Sequence, residues 1–165
     1  MKTLNYFIAL IAGLLLGFPF TAMTQDVPQS YGPAITLEMA KKVAAAAEAE
    51  ALKNKWNVFI AIVDSNTNLV LVHRMDDAQL GSLNVAQKKA YTAAAFRRST
   101  KGFEDGVAAG GSGLRVLGND QIMPVEGGLP IVLNGKIIGA IGISGVTSQQ
   151  DGVIAKAAID SLGMK

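Results

Sequence analysis

Gly127-Gly128-Leu129-Pro130-Ile131-Val132-Leu133-Asn134-Gly135-Lys136-Ile137-Ile138-Gly139-Ala140-Ile141-Gly142-Ile143-Ser144-Gly145 is the stretch whose reading decides the fold. An Asn-Gly pair between two apolar runs is the strongest short-range hairpin signal, because a type I′ turn needs positive φ at both central residues. The stretch therefore reads as a β-hairpin entered through Gly-Gly and left through Ser-Gly. Glycine removes the Cβ, so each of these ends lets backbone approach a ligand or another chain closely. Tight strand packing and a binding loop both satisfy that pattern.

Upstream, a second hairpin is expected from Asn57–Asp64 and Leu69–Met75, separated by Ser65-Asn66-Thr67-Asn68. Helices frame the two hairpins. Thr36 can cap a helix through Lys53, with Leu37, Ala40, Ala44, Ala47 and Ala51 on one face of small residues. Asn84 with Gln87 opens a second helix, Val85–Arg98, and Ser99-Thr100 a third through Val107-Ala108. Ala109-Gly110-Gly111-Ser112-Gly113 breaks it, and Leu114–Gln121 fits a further strand or a loop. Thr147 or Ser148 caps a last helix, Gln149–Leu162, ended by Gly163, with Asp151 complementing the helix dipole. This order predicts one α+β domain with a central antiparallel sheet of about five strands flanked by helices.

The N-terminus has the form of a targeting segment. Lys2 precedes an uncharged apolar run, Phe7–Phe20, that is short for a membrane span and suits a signal-peptide core. We assign residues 1–24 to a signal peptide, 25–35 to a linker and 36–165 to the domain. The expected location is periplasmic or secreted, with no integral membrane segment after cleavage. The chain has 15 Lys and Arg against 13 Asp and Glu, and loss of Lys2 brings the balance closer to neutral. A nearly neutral domain has no basic footprint, which excludes nucleic acid as a partner. The absence of cysteine excludes thiol catalysis and Cys-based zinc sites. Without disulfides the domain relies on its core, for which about 140 residues suffice.

Few residue groups carry chemistry. Gly110-Gly111-Ser112-Gly113 lacks the Gly-Lys-Ser/Thr ending of a phosphate loop. Ser144 sits between strand and helix, but Val146 replaces the last glycine of a nucleophile elbow, so a turn or cap role is the simpler reading. His73, Asp76 and Asp77 form a thin donor set for zinc. His73 is read either as an exposed strand residue beside Arg74 or as the single imidazole ligand of a heme iron, which needs one protein ligand and a lined pocket. Met39, Met75 and Met123 offer thioethers but equally fill a core. Lys88, Lys89, Arg97 and Arg98 lie on the second helix, where Lys89 and Thr92 share a face.

Arg74-Met75-Asp76-Asp77-Ala78, Ala86-x-x-Lys89-Ala90-x-Thr92-Ala93, Gly127-Gly128-Leu129-Pro130-Ile131 and Gly139-Ala140-Ile141-Gly142-Ile143-Ser144-Gly145 follow one another in this chain. In that order they resemble the GlcG/HbpS-like, or heme-degrading domain, family. They are also similar to the C-terminal domain of PduO-type cobalamin adenosyltransferases. The resemblance spans about residues 35–163. It implies a compact domain with a central antiparallel sheet, assembling as a dimer to octamer, with heme as ligand in some members. The family motif usually reads Arg-Met-Asp-Gly-Ala, whereas Asp77 stands here in place of its glycine. Members that hold heme through a histidine on the first helix have no counterpart here, since Thr36–Lys53 contains none.

Three readings follow. The first is an exported small-molecule-binding protein for heme or a related tetrapyrrole. The second is an enzyme, or enzyme accessory, acting on a small carboxylate such as a 2-hydroxy acid, with Arg74 and Lys89 holding the acid and Asp76 as base. The third is a structural oligomer without ligand. The expected pocket gathers Arg74 and Asp76, Lys89 and Thr92, Gly127, Gly128 and Pro130, and Ser144 and Gly145, a convergence of donors that favours an anion.

Overall fold

The computed structural model describes residues 28–163; the expected leader lies outside them. Helix α1 (Leu37–Asn54) is followed by strands β1 (Phe59–Asp64) and β2 (Leu69–Arg74), then helices α2 (Ser82–Ala95) and α3 (Thr100–Ala108). Strands β3 (Gly128–Leu133) and β4 (Lys136–Ser144) and helix α4 (Ser148–Asp160) complete the domain. The fold is α+β, with an antiparallel sheet in the order β2-β1-β4-β3. The sheet has four strands rather than five. The segment left open between strand and loop forms a 3-10 helix, Gly111–Gly118. Gly110 and Gly111 take φ 73 and 56 there, and the chain folds back so closely on α3 that a Cβ at Gly113 would overlap the Gly106 carbonyl.

Local chemistry explains the elements. Thr36 Oγ1 accepts from Met39 N at 3.2 Å to cap α1, and Ser99 caps α3. Thr147 and Gln150 form a reciprocal capping box on α4. Asn134 and Gly135, at φ 51 and 73, make the β3–β4 turn. Helix α2 begins at Ser82, ahead of the expected Asn84 cap, and its Gly81 N-cap makes no side-chain hydrogen bond. Leu83 packs on the Phe59, Ala61 and Val63 cluster, which holds that first turn helical. Asp77 takes φ 58, so the residue in place of the family's glycine occupies a left-handed position. The expected linker is not loose throughout: Gly32 N donates to Ile137 O and Ile35 N to Ile138 O, each at 2.8 Å, which lays residues 30–35 beside β4.

The sheet separates two cores. Ile60 and Ile62 of β1 and Ile141 and Ile143 of β4 face α1 and α4, where Ala40, Val43, Ala44, Ala47, Ile154, Ala155 and Ala158 are buried. Phe59, Ala61, Val63 and Ala140 face α2, whose Ala86, Ala90, Ala93 and Ala94 meet them. The alternation follows the two-residue strand period. Helix α2 rests directly on the sheet. A Cβ at Gly142 would overlap the Ala86 carbonyl, and one at Gly128, its cross-strand partner, would press on the Lys89 carbonyl at 2.5 Å. Gly128 and Gly142 of the diagnostic hairpin are thus the seat of a helix. Pro130 lies on the edge strand β3, where a missing N–H is tolerated.

Candidate functional site

The residues expected to form one pocket fall into three neighbourhoods. In the first, α2 delivers Lys89 to the entrance of β3, beside Gly127 and Gly128. Lys89 is 1% exposed and its Nζ donates to Asp151 Oδ2 at 2.7 Å and to the Ile143 carbonyl at 2.9 Å. Gly127, at φ 122, leaves room for this arrangement, since a Cβ there would lie 2.9 Å from Lys89 Nζ. Asp151 Oδ1 accepts from Val146 N at 3.3 Å, next to Ser144 and Gly145. Burial holds the Lys89 ammonium below its ordinary pKa and raises Asp151 to about 6; the opposite charge of each pulls the other back. Lys89 is therefore not a free cation facing solvent. Asp151, read from sequence only as a dipole partner, is its counter-ion.

Thr100 and Glu104 of α3 complete this neighbourhood. Gly128 N donates to Thr100 Oγ1 at 2.8 Å, Ser148 Oγ donates to Glu104 Oε1 at 3.1 Å, and Glu126 N donates to Glu104 Oε2. Burial and the nearby Glu104 and Asp105 push the Glu126 carboxyl up, against the pull of Lys101 and Lys89. A cavity of about 350 Å³ opens here between Ser99, Lys101, Glu126, Gly127, Leu129, Gly152 and Lys156.

The second neighbourhood is built on Thr92. Its hydroxyl donates to Gln121 O at 3.2 Å and accepts from Met123 N at 2.9 Å. These bonds fix the loop before β3, so that Gln121 and Met123 line a cavity of about 450 Å³ with Val63, Val85, Lys88 and Tyr91.

The third neighbourhood is the end of the first hairpin. Glu48 and Leu52 of α1, Asn57, and His73, Arg74, Met75 and Asp76 line a cavity of about 330 Å³. Strand alternation sends His73 toward α1, where its Nε2 lies 3.4 Å from Glu48 Oε1, and Arg74 toward the opposite face, over the Phe59 ring at 5.8 Å. Arg74 and Asp76 form no ion pair with each other among the described residues. Leu52 is 60% exposed beside them. Among the described residues no group of three His, Asp or Glu converges to hold a metal ion, and no helix is long and apolar enough to cross a membrane.

A three-layer domain with this glycine-seated helix defines a class, and comparison with known proteins says which. The family described as "haem degrading protein HbpS-like" matches residues 35–160, and the chain belongs to that family. Protein GlcG of Escherichia coli K12 is 42% identical over 110 residues, 67% of this chain and 81% of GlcG. A crystal structure of the PduOC:heme complex superposes with a TM-score of 0.71 at 32% identity, covering 78% of this chain and 94% of that one. A crystal structure of HbpS does so with a TM-score of 0.73 at 29% identity, covering 81% and 94%.

The donor set at His73 fits a heme group. One imidazole with 38% of its side chain exposed is sterically available as an iron ligand. The adjacent Glu48 carboxylate supplies the kind of partner that orients a ligating imidazole. Leu52, 60% exposed on the same cavity, offers apolar contact for a macrocycle.

Proposed function

We propose that this protein is an exported binding protein for heme or a related tetrapyrrole, with His73 as the iron ligand. The observation that carries the reading is the part-exposed His73, beside the Glu48 carboxylate in a cavity that exposed Leu52 also lines. It is joined by kinship to a domain crystallised with heme. Within this reading His73 would hold the metal, Glu48 would orient the imidazole, and Leu52 would exclude water from one face of the ring. Bound heme would supply a redox-active iron centre. Titration of the protein with hemin should give a saturable Soret shift that is lost in His73→Ala. A shift of unchanged size and affinity in His73→Ala would move the ligand to another residue and overturn the assignment.

The apolar run Phe7–Phe20 supports export, and amino-terminal sequencing of the protein from a periplasmic fraction tests it. Starting at Met1 there would contradict cleavage. We propose self-association between a dimer and an octamer, for which exposed Leu37, Leu80, Leu114, Leu117 and Val153 offer apolar surface. Light scattering at micromolar concentration should return an oligomer; a strict monomer would contradict it. The alternative of a small-carboxylate enzyme using Arg74 with Lys89 gains nothing here, because Lys89 is spent on Asp151 in the interior while Arg74 lies in the outer cavity.

A further inference from the structure

The largest cavity described above is separate from His73, and the heme reading leaves it without a role. Its walls are contributed by Val63 and Leu69 of the first hairpin, Val85 and Tyr91 of α2, and Met123 of the loop held by Thr92. At about 450 Å³ it lies within the range of small-molecule sites, which are mostly apolar with a few convergent polar groups. Asn84, Gln87 and Gln121 supply amides at its rim. Lys88 is the one charged residue in its lining among the described residues. The Lys88 ammonium donates to the Asp120 backbone carbonyl at 3.1 Å and forms no ion pair among the described residues. The lining contains no carboxylate. The Asp120 carboxylate is turned to Gln121, whose Nε2 donates to its Oδ1 at 3.3 Å. An apolar wall with one cation at its edge that closes no ion pair selects a molecule of matching form.

We infer that the α2–Met123 cavity is a second ligand site, for a monoanionic small molecule with an aromatic or branched aliphatic body, its carboxylate paired with Lys88. The apolar body fills the space between Val63, Val85 and Met123, and Tyr91 and Gln87 offer further hydrogen bonds to the acid. The site is independent of heme capture and would stand if that reading failed. Thr92 acts as a positioning residue, since it holds the loop that carries Met123.

Nuclear magnetic resonance titration with 3-phenylpropionate and its neutral amide tests the site. The acid should produce saturable shifts centred on Val63, Val85, Tyr91 and Met123. Lys88→Gln, on an exposed side chain, should raise the Kd of the acid about tenfold, the scale of one charge-assisted contact at a partly exposed position, and leave that of the amide unchanged. Val85→Trp should abolish binding of both by filling the cavity. Saturating hemin should leave the shifts in place. Absence of saturable shifts, shifts centred elsewhere, equal losses for acid and amide in Lys88→Gln, or displacement of the acid by hemin would each overturn the proposal.

Discussion

Lys89 is 1% exposed and closes an ion pair of 2.7 Å with Asp151, whereas Lys88, one residue earlier on the same helix, is exposed and donates only to a backbone carbonyl. The two lysines mark two kinds of region. Around Lys89 the buried side-chain polar atoms are matched: among the described residues, no buried side-chain nitrogen or oxygen lacks a hydrogen-bond partner. Around Lys88, and around His73 at the far side of the first hairpin, polar groups stand at cavity rims with capacity to spare. The saturated region holds three elements together, with α2 pinned to β4 and α4, and has little left for a ligand. Capacity for a ligand lies where side chains are incompletely used, because buried polar groups left unpaired are costly to a fold while exposed ones are not.

This contrast breaks first at the glycine seat. Gly142→Val would drive a side chain into the Ala86 carbonyl and lift α2 from the sheet, and is expected to cost more than about 4 kcal/mol in denaturant unfolding. A loss below about 1 kcal/mol would mean that α2 does not rest on the sheet as described. Next comes the ion pair. Lys89→Ala strands the Asp151 carboxylate and should cost about 3–5 kcal/mol, while the double variant Lys89→Met/Asp151→Leu should recover most of that loss. Equal losses in the single and double variants would show that the pair matters through shape and not through charge.

A smaller effect sharpens the comparison through pH. The Asp151 pKa is raised to about 6, above its value in the unfolded chain, so the folded state holds a proton that the unfolded state releases from about pH 4 upward. Its contribution to stability is therefore greatest at low pH and is lost as pH rises through about 6. Asp151→Asn should flatten the stability profile between pH 4 and 6, read from urea midpoints; an unchanged slope would assign that titration to other groups. The smallest change is Asp77→Gly. Relief of about 1–2 kcal/mol of left-handed strain, less the extra unfolded-chain entropy of glycine, leaves a gain on the order of 0.5 kcal/mol. A loss of stability would show that the Asp77 side chain does more than occupy the turn.

Much of the fold is legible because its signals are local. Asn134-Gly135 specifies its own turn, Thr36, Ser99 and Thr147 cap their own helices, and the unbroken apolar run Phe59–Val63 reports two buried faces. The start of α2 is not legible in this way, because the tertiary contact of Leu83 keeps a turn helical ahead of Asn84. Nor is the 3-10 segment, where glycines allow a fold-back against α3 that no periodicity encodes. The Lys89–Asp151 pair is invisible in sequence for a different reason. Its partners are 62 residues apart, and each has a respectable surface reading alone. The Gly-Gly and Gly-x-Ser-Gly motifs are legible as places of close approach, but sequence does not say that helix backbone is the group approaching Gly128 and Gly142. The cavity lined by Lys88 and Met123 is likewise assembled by the Thr92 hydroxyl across about thirty residues of intervening chain, where no short motif reaches.

We propose that the glycine and Lys89 region builds the domain while heme capture belongs to the hairpin end at His73. Hemin titration followed at the Soret band, run side by side on the wild type, His73→Ala and Lys89→Met/Asp151→Leu, tests it most directly. The account predicts a saturable shift of equal affinity in the wild type and the double variant, and none in His73→Ala. A shift that survives in His73→Ala and disappears in a folded double variant would contradict it.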